Sequence, residues 1–260
     1  MNNYQSFYDE NRENQYGESY TIKRAEEHES YDVLANFICQ NSLENKKCLE
    51  IGSSGGGFQD MVEDYYGTDI AESVKKYYHK PYKVAKGETY PFDDKEFDAI
   101  WSLHVYEHIP HLQIALLEIK RLVKKEGVVL FAPAWQSRSW AAEGYEVRPY
   151  SDFPLKGKIV KFLIPLRNSI LWRSMFIFPK RIFRTMLYAF GYKFKKIRYK
   201  KLQANYENYW VPDSDACNSI DPHDAILWFE SNGFKCLSHP LYKEALLVRN
   251  GAIVLKKVVD

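Results

Sequence analysis

The apolar positions in the first half of the chain form short runs separated by polar segments. Each run has the length of a strand, and most alternate with segments whose apolar residues recur at helical spacing. The last run is apolar throughout, as expected of a strand buried on both faces. Five strands are predicted, within KKCLEIG, YGTDI, YKVAKG, EFDAIWSLHV and VVLFAPA.

Helices are predicted before and between these strands. In SYDVLANFICQNSL the apolar residues Val33, Leu34, Phe37 and Ile38 follow helical spacing. The segments GGFQDMVEDYY and AESVKKYYH are predicted as short helices, and HLQIALLEIKRLVKKEG as an amphipathic helix with Gly127 as its C-cap. Alternating strands and helices predict an α/β fold, with a Rossmann-like, mostly parallel sheet covered by helices on both faces.

The regular pattern resumes near the C-terminal end. Asp221 followed by Pro222 predicts a helix start, HDAILWFESNG the helix, and Gly233 its end. The runs FKCLSH and GAIVLKKV predict two closing strands, which gives about seven strands. We therefore predict a single domain over residues 1–260.

A basic and aromatic segment interrupts the pattern after the fifth strand. From Phe153 to Tyr206 there are 14 Lys and Arg but no Asp or Glu, which leaves 22 basic and 34 acidic residues elsewhere. Residues 135–210 are predicted as an inserted helical subdomain that binds substrate or forms a lid. Its charge favours an anionic partner. Three anionic partners are considered for this segment: RNA, an anionic membrane, and a small acidic or phosphorylated acceptor. Apolar blocks such as KFLIPL and SMFIF make nucleic acid the weaker interpretation.

The first 30 residues are polar and rich in tyrosine, and we predict an arm that lies across a site. They do not resemble a signal peptide, and no apolar run reaches the length of a membrane span. The four cysteines show no CxxC spacing, as expected of reduced structural thiols. We therefore expect a cytoplasmic protein, with contact at the inner membrane surface as an alternative. The oligomeric state is left open.

A loop of glycine and serine follows the first strand in CLEIGSSGGGF. The strand ends at Glu50, Gly52 allows a tight turn, and Ser54 and Gly56 leave backbone open to a ligand. A dinucleotide fingerprint would need glycine at position 54, and a phosphate loop needs a Gly-Lys-Ser/Thr sequence that is absent. Glu50 would repel a pyrophosphate, but it suits a ligand that carries an ammonium and a sulfonium group.

A second carboxylate, Asp69, ends the second strand, where it can accept hydrogen bonds from both hydroxyls of a ribose. The segment GETYPFDDKEFDAIWSLHVYEH then leads into the amphipathic helix. In order and spacing, residues 45–134 resemble the class I S-adenosylmethionine-dependent methyltransferases, particularly the group with a PF…FD segment before strand four.

This resemblance implies S-adenosylmethionine (SAM) as cofactor and S-adenosylhomocysteine as product. Glu50 and the loop from Gly52 would hold the methionine end, Asp69 the ribose and Ile70 the adenine. Lys86 stands where the family often has an acid, so Gly87 and Glu88 are its expected substitutes. The residues implied to contact the cofactor are Glu50, Gly52, Ser54, Gly56, Asp69, Ile70, Gly87, Glu88, Ser102 and Leu103.

Three residues after strand four are the candidates for a catalytic base: His104, Glu107 and His108. His104 is expected nearest the methyl group, and an imidazole with a near-neutral pKa suits proton removal from a hydroxyl acceptor. His108 is the second candidate, with a structural role at the turn before Ile109 as its alternative. A nitrogen acceptor would need only placement, so O- and N-methylation both remain open.

A second acidic segment, PDSDACNSIDPHD, is interpreted as a solvated turn. A metal site is the alternative, because hard cations favour carboxylates, but the spacing matches no calcium loop and no metal ion is predicted. The function we expect is methyl transfer to a small anionic acceptor; the resemblance suggests surface-polysaccharide or secondary-metabolite biosynthesis. An RNA methyltransferase and a non-catalytic cofactor-binding partner subunit are the alternatives.

Overall fold

The computed structural model describes residues 5–9, 25–208 and 210–259. Within these ranges the strands are β1 (Cys48–Ile51), β2 (Tyr65–Asp69), β3 (Tyr82–Val84), β4 (Phe97–Leu103), β5 (Val123–Ala132), β6 (Tyr199–Lys201), β7 (Asn218–Ile220), β8 (Phe234–Cys236) and β9 (Ile253–Lys257). The α-helices between residues 25 and 259 are α1 (Tyr31–Asn41), α2 (Leu112–Leu122), α3 (Leu155–Asn168), α4 (Ile170–Phe176), α5 (Phe178–Ala189), α6 (Pro222–Ser231) and α7 (Tyr242–Leu247).

Seven of these strands form one sheet in the order β3-β2-β1-β4-β5-β9-β8, and β6 pairs with β7 separately. β9 is antiparallel to both of its neighbours, whereas the pairs among β1 to β5 are parallel. The predicted Rossmann-like, mostly parallel sheet of about seven strands is confirmed. The chain runs outward from β1 to β3 and then returns to β4 on the other side of β1. Ligands bind at such reversals of strand order, beyond the carboxyl ends of the strands.

Apolar side chains pack on both faces of this sheet. Neighbouring strand residues point to opposite faces, and Ile100 and Trp101 belong to two different buried clusters. Trp228 of α6 packs in the first cluster and Phe37 of α1 in the second, all of them buried. Of the four apolar residues that predicted helix α1, Val33 is exposed and the other three are buried. The buried face of this helix is therefore narrower than the sequence suggested.

The prediction of a short helix after β1 is wrong, because residues 53–64 form turns and bends. Three consecutive glycines disfavour helix, and Gly56 packs closely under the ring of Tyr78. The hydroxyl of Tyr78 donates to the backbone oxygens of Ser53 and Ser54, at 3.0 and 2.9 Å. After β2 the predicted helix is a short 3-10 helix, Ser73–Tyr77.

Gly127 is not the C-cap that the sequence predicted. The helix ends at Leu122, and β5 begins at the next residue with a register shift opposite β4. A Cβ on Gly127 would lie 2.9 Å from the carbonyl oxygen of Asp98 on β4. The glycine therefore permits close approach of two strands at an irregularity, which is a common use of glycine within strands.

The predicted start and end of the last long helix are confirmed. The side chain of Asp221 accepts a hydrogen bond from the backbone N–H of His223, with Pro222 in the first turn. Gly233 follows with φ of +98°, a left-handed conformation that glycine adopts readily. The two closing strands are β8 and β9.

The segment from Phe153 to Tyr206, which has no Asp or Glu and is called the acid-free segment below, contributes α3, α4 and α5. Part of its positive charge lies inside the protein. Arg181 is buried against Asp221, with Nη2 3.0 Å from Oδ1, and Arg184 Nε lies 2.6 Å from Asp224 Oδ1. Reading the whole charge excess as a surface for an external anion was therefore wrong for these two arginines. A substrate-binding or lid role for residues 135–210 stays a prediction.

Candidate active site

The carboxyl ends of β1, β2 and β4 meet at two adjacent cavities. The larger has a volume of about 610 Å³, within the usual range for ligand sites, and the smaller about 80 Å³. Gly52, His104 and His108 line both. The reversal of strand order therefore coincides with the cavities and with the predicted glycine loop.

The turn after β1 requires glycine at position 52. Its φ is +74°, and a Cβ there would fall 2.6 Å from Cγ1 of Val105 and closer still to Cγ2. The backbone N–H groups of Gly52 and Ser53 donate to the carbonyl of Thr68, at 2.8 and 3.1 Å. The loop is thus held against the end of β2, and Gly52 through Gly55 face the larger cavity.

Glu50 is a buried carboxyl group at the edge of the larger cavity. The hydroxyl of Tyr65 donates to its Oε2 at 2.5 Å. Burial raises the pKa of Glu50 to about 8, although the hydrogen bond from Tyr65 opposes this shift. Without a ligand the group is therefore mostly neutral at pH 7, and a cation in the cavity would favour its ionised form.

Asp69 lines the smaller cavity together with Ile70 and Gly87. Its Oδ2 accepts from the backbone N–H of Ser54 at 2.9 Å, and its Oδ1 from that of Ala71 at 3.1 Å. The carboxylate thus connects the glycine loop to the segment after β2. A ribose at this position would share these oxygens with the loop.

Three of the predicted cofactor residues make contacts within the fold and do not line either cavity. Gly56 packs against Tyr78, and the hydroxyl of Ser102 donates to the carbonyl of Ile51 at 3.0 Å. Glu88 accepts from the backbone N–H of His111 at 3.2 Å. Leu103 does line the larger cavity. Cofactor contacts by Gly56, Ser102 and Glu88 stay predictions.

The two candidate histidines, His104 and His108, occupy different environments. His104 has φ of +55°, its backbone N–H donates to Ala132, and its Nε2 lies 3.6 Å from Oε1 of Glu29. The ring of His108 is more buried, with Nδ1 3.2 Å from Oδ2 of Asp215. His104 is therefore the more accessible base, whereas His108 is held between acidic groups.

Several cavity residues were not predicted from the sequence. Tyr8, in a helical turn over residues 5–9, lines the smaller cavity and donates to Oδ2 of Asp215 at 2.6 Å. Glu29 and Asp213 line the larger cavity. The tyrosine-rich arm was the only signal for Tyr8. The solvated-turn interpretation was wrong, because Asp215, His223 and Asp224 are buried.

Part of this chain is similar in sequence to known methyltransferases. Residues 49–131 match the family model described as a methyltransferase domain. The ubiquinone biosynthesis O-methyltransferase of Pelagibacter ubique (strain HTCC1062) is 28% identical over 117 residues, which cover 39% of this chain and 48% of that protein. The uncharacterized protein MJ1123 of Methanocaldococcus jannaschii is 30% identical over 118 residues, covering 42% and 58%. The chain thus spans about half the length of these curated relatives.

Among solved structures, a candidate methyltransferase from Bacillus halodurans C-125 superposes with a TM-score of 0.46 at 15% identity. The superposition covers 79% of this chain and 70% of that one. The family match ends at Phe131, so helices α3 to α5 lie beyond it. The similarity to methyltransferases therefore rests on residues 49–131 and agrees with the resemblance to class I S-adenosylmethionine-dependent methyltransferases that the sequence motifs carry.

Proposed function

We propose that the protein transfers a methyl group from SAM to a small acceptor and releases S-adenosylhomocysteine. The observation that carries this proposal is that two carboxyl groups, Glu50 and Asp69, lie at the two adjacent cavities beside the Gly52 turn, where the strand order reverses. The larger cavity would hold the methionine end against Glu50, whose ionised form suits the ammonium and sulfonium groups. Asp69 would bind the ribose hydroxyls, and Ile70 would contact the adenine.

The acceptor would enter the larger cavity beside Leu103 and His104. Methyl transfer from a sulfonium is an in-line displacement, which depends chiefly on aligning donor and acceptor away from water. The sequence suggested an acidic or phosphorylated acceptor of surface-polysaccharide or secondary-metabolite biosynthesis, and this remains our proposal. Among the described lining residues, however, the cavity has carboxylates but no Lys or Arg. An acidic acceptor would therefore need another source of positive charge.

A screen with methyl-labelled SAM tests the proposal directly. We expect one SAM or S-adenosylhomocysteine per chain by calorimetry, and label transfer to at least one hydroxyl or amine compound among acidic and phosphorylated metabolites. A chain that binds neither nucleoside would contradict the proposal. Binding without transfer to any compound would favour the non-catalytic partner subunit instead.

Replacing His104 with asparagine tests the base. Asparagine tolerates the left-handed backbone at this position better than most residues do, so the loop should keep its shape. With a hydroxyl acceptor, turnover is expected to fall by about 100-fold or more, as is typical when a general base is lost. SAM affinity should stay within a few-fold, as measured by calorimetry. His79→Asn, an exposed histidine outside both cavities, is the matched control. Full turnover in His104→Asn would eliminate His104 as base.

We further propose that the helical segment α3–α5 rests on an anionic membrane surface. Exposed apolar residues follow helical spacing on α3 at Leu155, Ile159, Phe162 and Leu166, and on α5 at Ile182, Phe183 and Met186. Phe190, directly after α5, is exposed as well. Phe162 is 74% and Phe190 85% exposed. An apolar stripe on a helix usually faces a core, so an exposed one indicates a binding surface.

The charge of the same segment favours lipid over the other occupants. Exposed lysines accompany the apolar stripes, including Lys156, Lys158 and Lys180, and no acidic residue lies between Phe153 and Tyr206. Basic residues near an anionic bilayer each contribute about 1 kcal/mol. Leucine and isoleucine offer no stacking surface for bases, so RNA is the weaker alternative. None of the described helices has the length and apolarity needed to span a bilayer.

Vesicle sedimentation tests this surface. The protein should co-sediment with vesicles containing phosphatidylglycerol and much less with pure phosphatidylcholine. Phe162→Ser/Phe183→Ser should weaken binding at least about tenfold, because each buried phenylalanine contributes about 1.5–3 kcal/mol. Ile114→Ser, on the exposed side of α2, is the matched control. Absence of binding to anionic vesicles would refute the proposal, and a dimer abolished by the double variant would identify a second copy as the occupant.

A further inference from the structure

Three side chains from two distant parts of the chain converge beside the larger cavity. Glu107 and His108 follow β4, and Asp213 precedes β7. Each offers one ligand atom, and these atoms all lie within 4.8 Å of one another. The backbone carbonyl of Glu107 accepts from the N–H groups of Cys217 and Asn218, both at 2.9 Å, which fixes the two segments together. The cluster is thus part of the packed fold.

Glu107 is the unusual member of this cluster, because it is fully buried. Among the described residues, neither of its carboxylate oxygens accepts a hydrogen bond of normal geometry. The Nε2 atom of His108 lies 3.7 Å from Oε1, beyond hydrogen-bond distance. A buried carboxylate that lacks a hydrogen bond of normal geometry is costly unless a cation compensates its charge.

His108 is oriented as a metal ligand would be. Asp215 Oδ2 lies 3.2 Å from Nδ1, an ion-pair contact that does not reach hydrogen-bond geometry, and the same oxygen accepts the hydroxyl hydrogen of Tyr8 at 2.6 Å. Nε2 is left on the side of Glu107. Histidines that bind metals commonly have a carboxylate at the opposite ring nitrogen, which fixes both the tautomer and the ring orientation. Asp215 is therefore a positioning residue in this arrangement.

We propose that Glu107, His108 and Asp213 bind a divalent transition-metal ion. One imidazole nitrogen with two carboxylates is a donor set that suits Mn²⁺ or Zn²⁺, whereas Mg²⁺ prefers oxygen ligands alone. Three protein ligands leave coordination positions open, as in sites where a metal also binds substrate. His108 and Asp213 line the larger cavity, so the open positions would face the acceptor.

This ion would supply the positive charge that the cavity lining lacks. This role rests on the proposed methyltransferase function: the ion would hold the oxygens of an acidic acceptor and lower the pKa of a bound hydroxyl group. His104, at the shared boundary of the two cavities, would then accept the proton of that hydroxyl. The acidic surroundings and an acidic acceptor thereby become compatible.

Titration of the full chain with Mn²⁺, without SAM or acceptor, tests the site. We expect one ion per chain by calorimetry and by loss of the free-ion paramagnetic resonance signal, with Zn²⁺ competing. Glu107→Gln and Asp213→Asn should each weaken Mn²⁺ binding by about 100-fold or more, since even residues behind the ligands contribute 10- to 100-fold. Asp215→Asn, which changes a residue behind the ligands, should weaken Mn²⁺ binding by about 10- to 100-fold.

These variants should fold. Glutamine at position 107 removes a buried charge without changing size, and asparagine tolerates the φ of +65° at Asp213. Asp60→Asn, whose carboxylate pairs with the exposed His79 at 2.8 Å, is the matched control and should bind Mn²⁺ as the wild type does. The proposal is overturned if neither Mn²⁺ nor Zn²⁺ binds, or if binding survives unchanged in both ligand variants. SAM binding, measured on the same proteins, reports separately on the proposed function.

Discussion

Asp69→Ala is expected to weaken SAM binding by about 100-fold or more. Hydrogen bonds to a charged group contribute about 1.5–3 kcal/mol each, and the carboxylate is proposed to accept two from the ribose. The variant also loses the two backbone hydrogen bonds from Ser54 and Ala71, so the glycine loop keeps only its backbone hydrogen bonds to Thr68 as a connection to β2. Calorimetry with S-adenosylhomocysteine measures the affinity, and circular dichroism should show that the sheet persists.

Asp64→Ala provides the control for that experiment. Asp64 is an exposed carboxylate just before β2, at the opposite end of the strand from Asp69. Its removal should leave S-adenosylhomocysteine binding unchanged. If Asp69→Ala binds as tightly as the wild type, the ribose does not contact Asp69, and the cofactor lies elsewhere or in another orientation.

Glu50→Gln is expected to have opposite effects on stability and on binding. In the wild type, burial holds the pKa of Glu50 at about 8, above its value of about 4.3 in an unfolded chain. Between these values the unfolded state has lost its proton while the folded state keeps it. Rising pH therefore favours unfolding, by up to about 1.4 kcal/mol per pH unit from this group. The contribution is fully present below pH 4 and is lost by pH 8.

Glutamine at position 50 cannot ionise, so this part of the pH dependence of stability should disappear. The ligand-free variant should therefore be more stable than the wild type at pH 8.

SAM binding, in contrast, should be weakened by the substitution. Wild-type affinity for SAM should increase as pH rises toward 8, because the cationic ligand favours ionised Glu50, whereas the variant should bind weakly at every pH. Thermal unfolding and calorimetry between pH 5 and 9 test both. Glu63→Gln, an exposed carboxylate, is the control. A variant destabilised at pH 8 would contradict the burial argument.

The residues that follow local rules were predictable from the sequence. Apolar runs marked the sheet strands, and the acids at the ends of β1 and β2 were placed correctly at the carboxyl edge because parallel strands bring their ends together. Asp221 was recognised as a cap because capping depends on adjacent residues. These features need only information within a few positions of the chain.

Long-range contacts were not predictable in the same way. Gly127 looked like a helix end because its neighbours are charged and helical, but its small size is needed against Asp98 of another strand. Glu107 and Asp213 lie far apart in sequence, and only folding brings them together with His108. The acid-free segment could not reveal that Arg181 and Arg184 find their counterions in α6 and just before it.

Those two arginines determine how α3–α5 can be altered by engineering. Arg181 also donates to the carbonyls of Leu246 and Val248, at 2.9 and 2.6 Å. If α5 were deleted or exchanged for an unrelated helix, Asp221 and Asp224 would lose their counterions. The carbonyl groups of Leu246, at the end of α7, and of Val248, just after it, would lose a hydrogen-bond donor. Breaking buried ion pairs by removing one partner costs about 3–5 kcal/mol each. Chimeras that aim to alter acceptor choice should therefore graft α5 together with α6, as one unit.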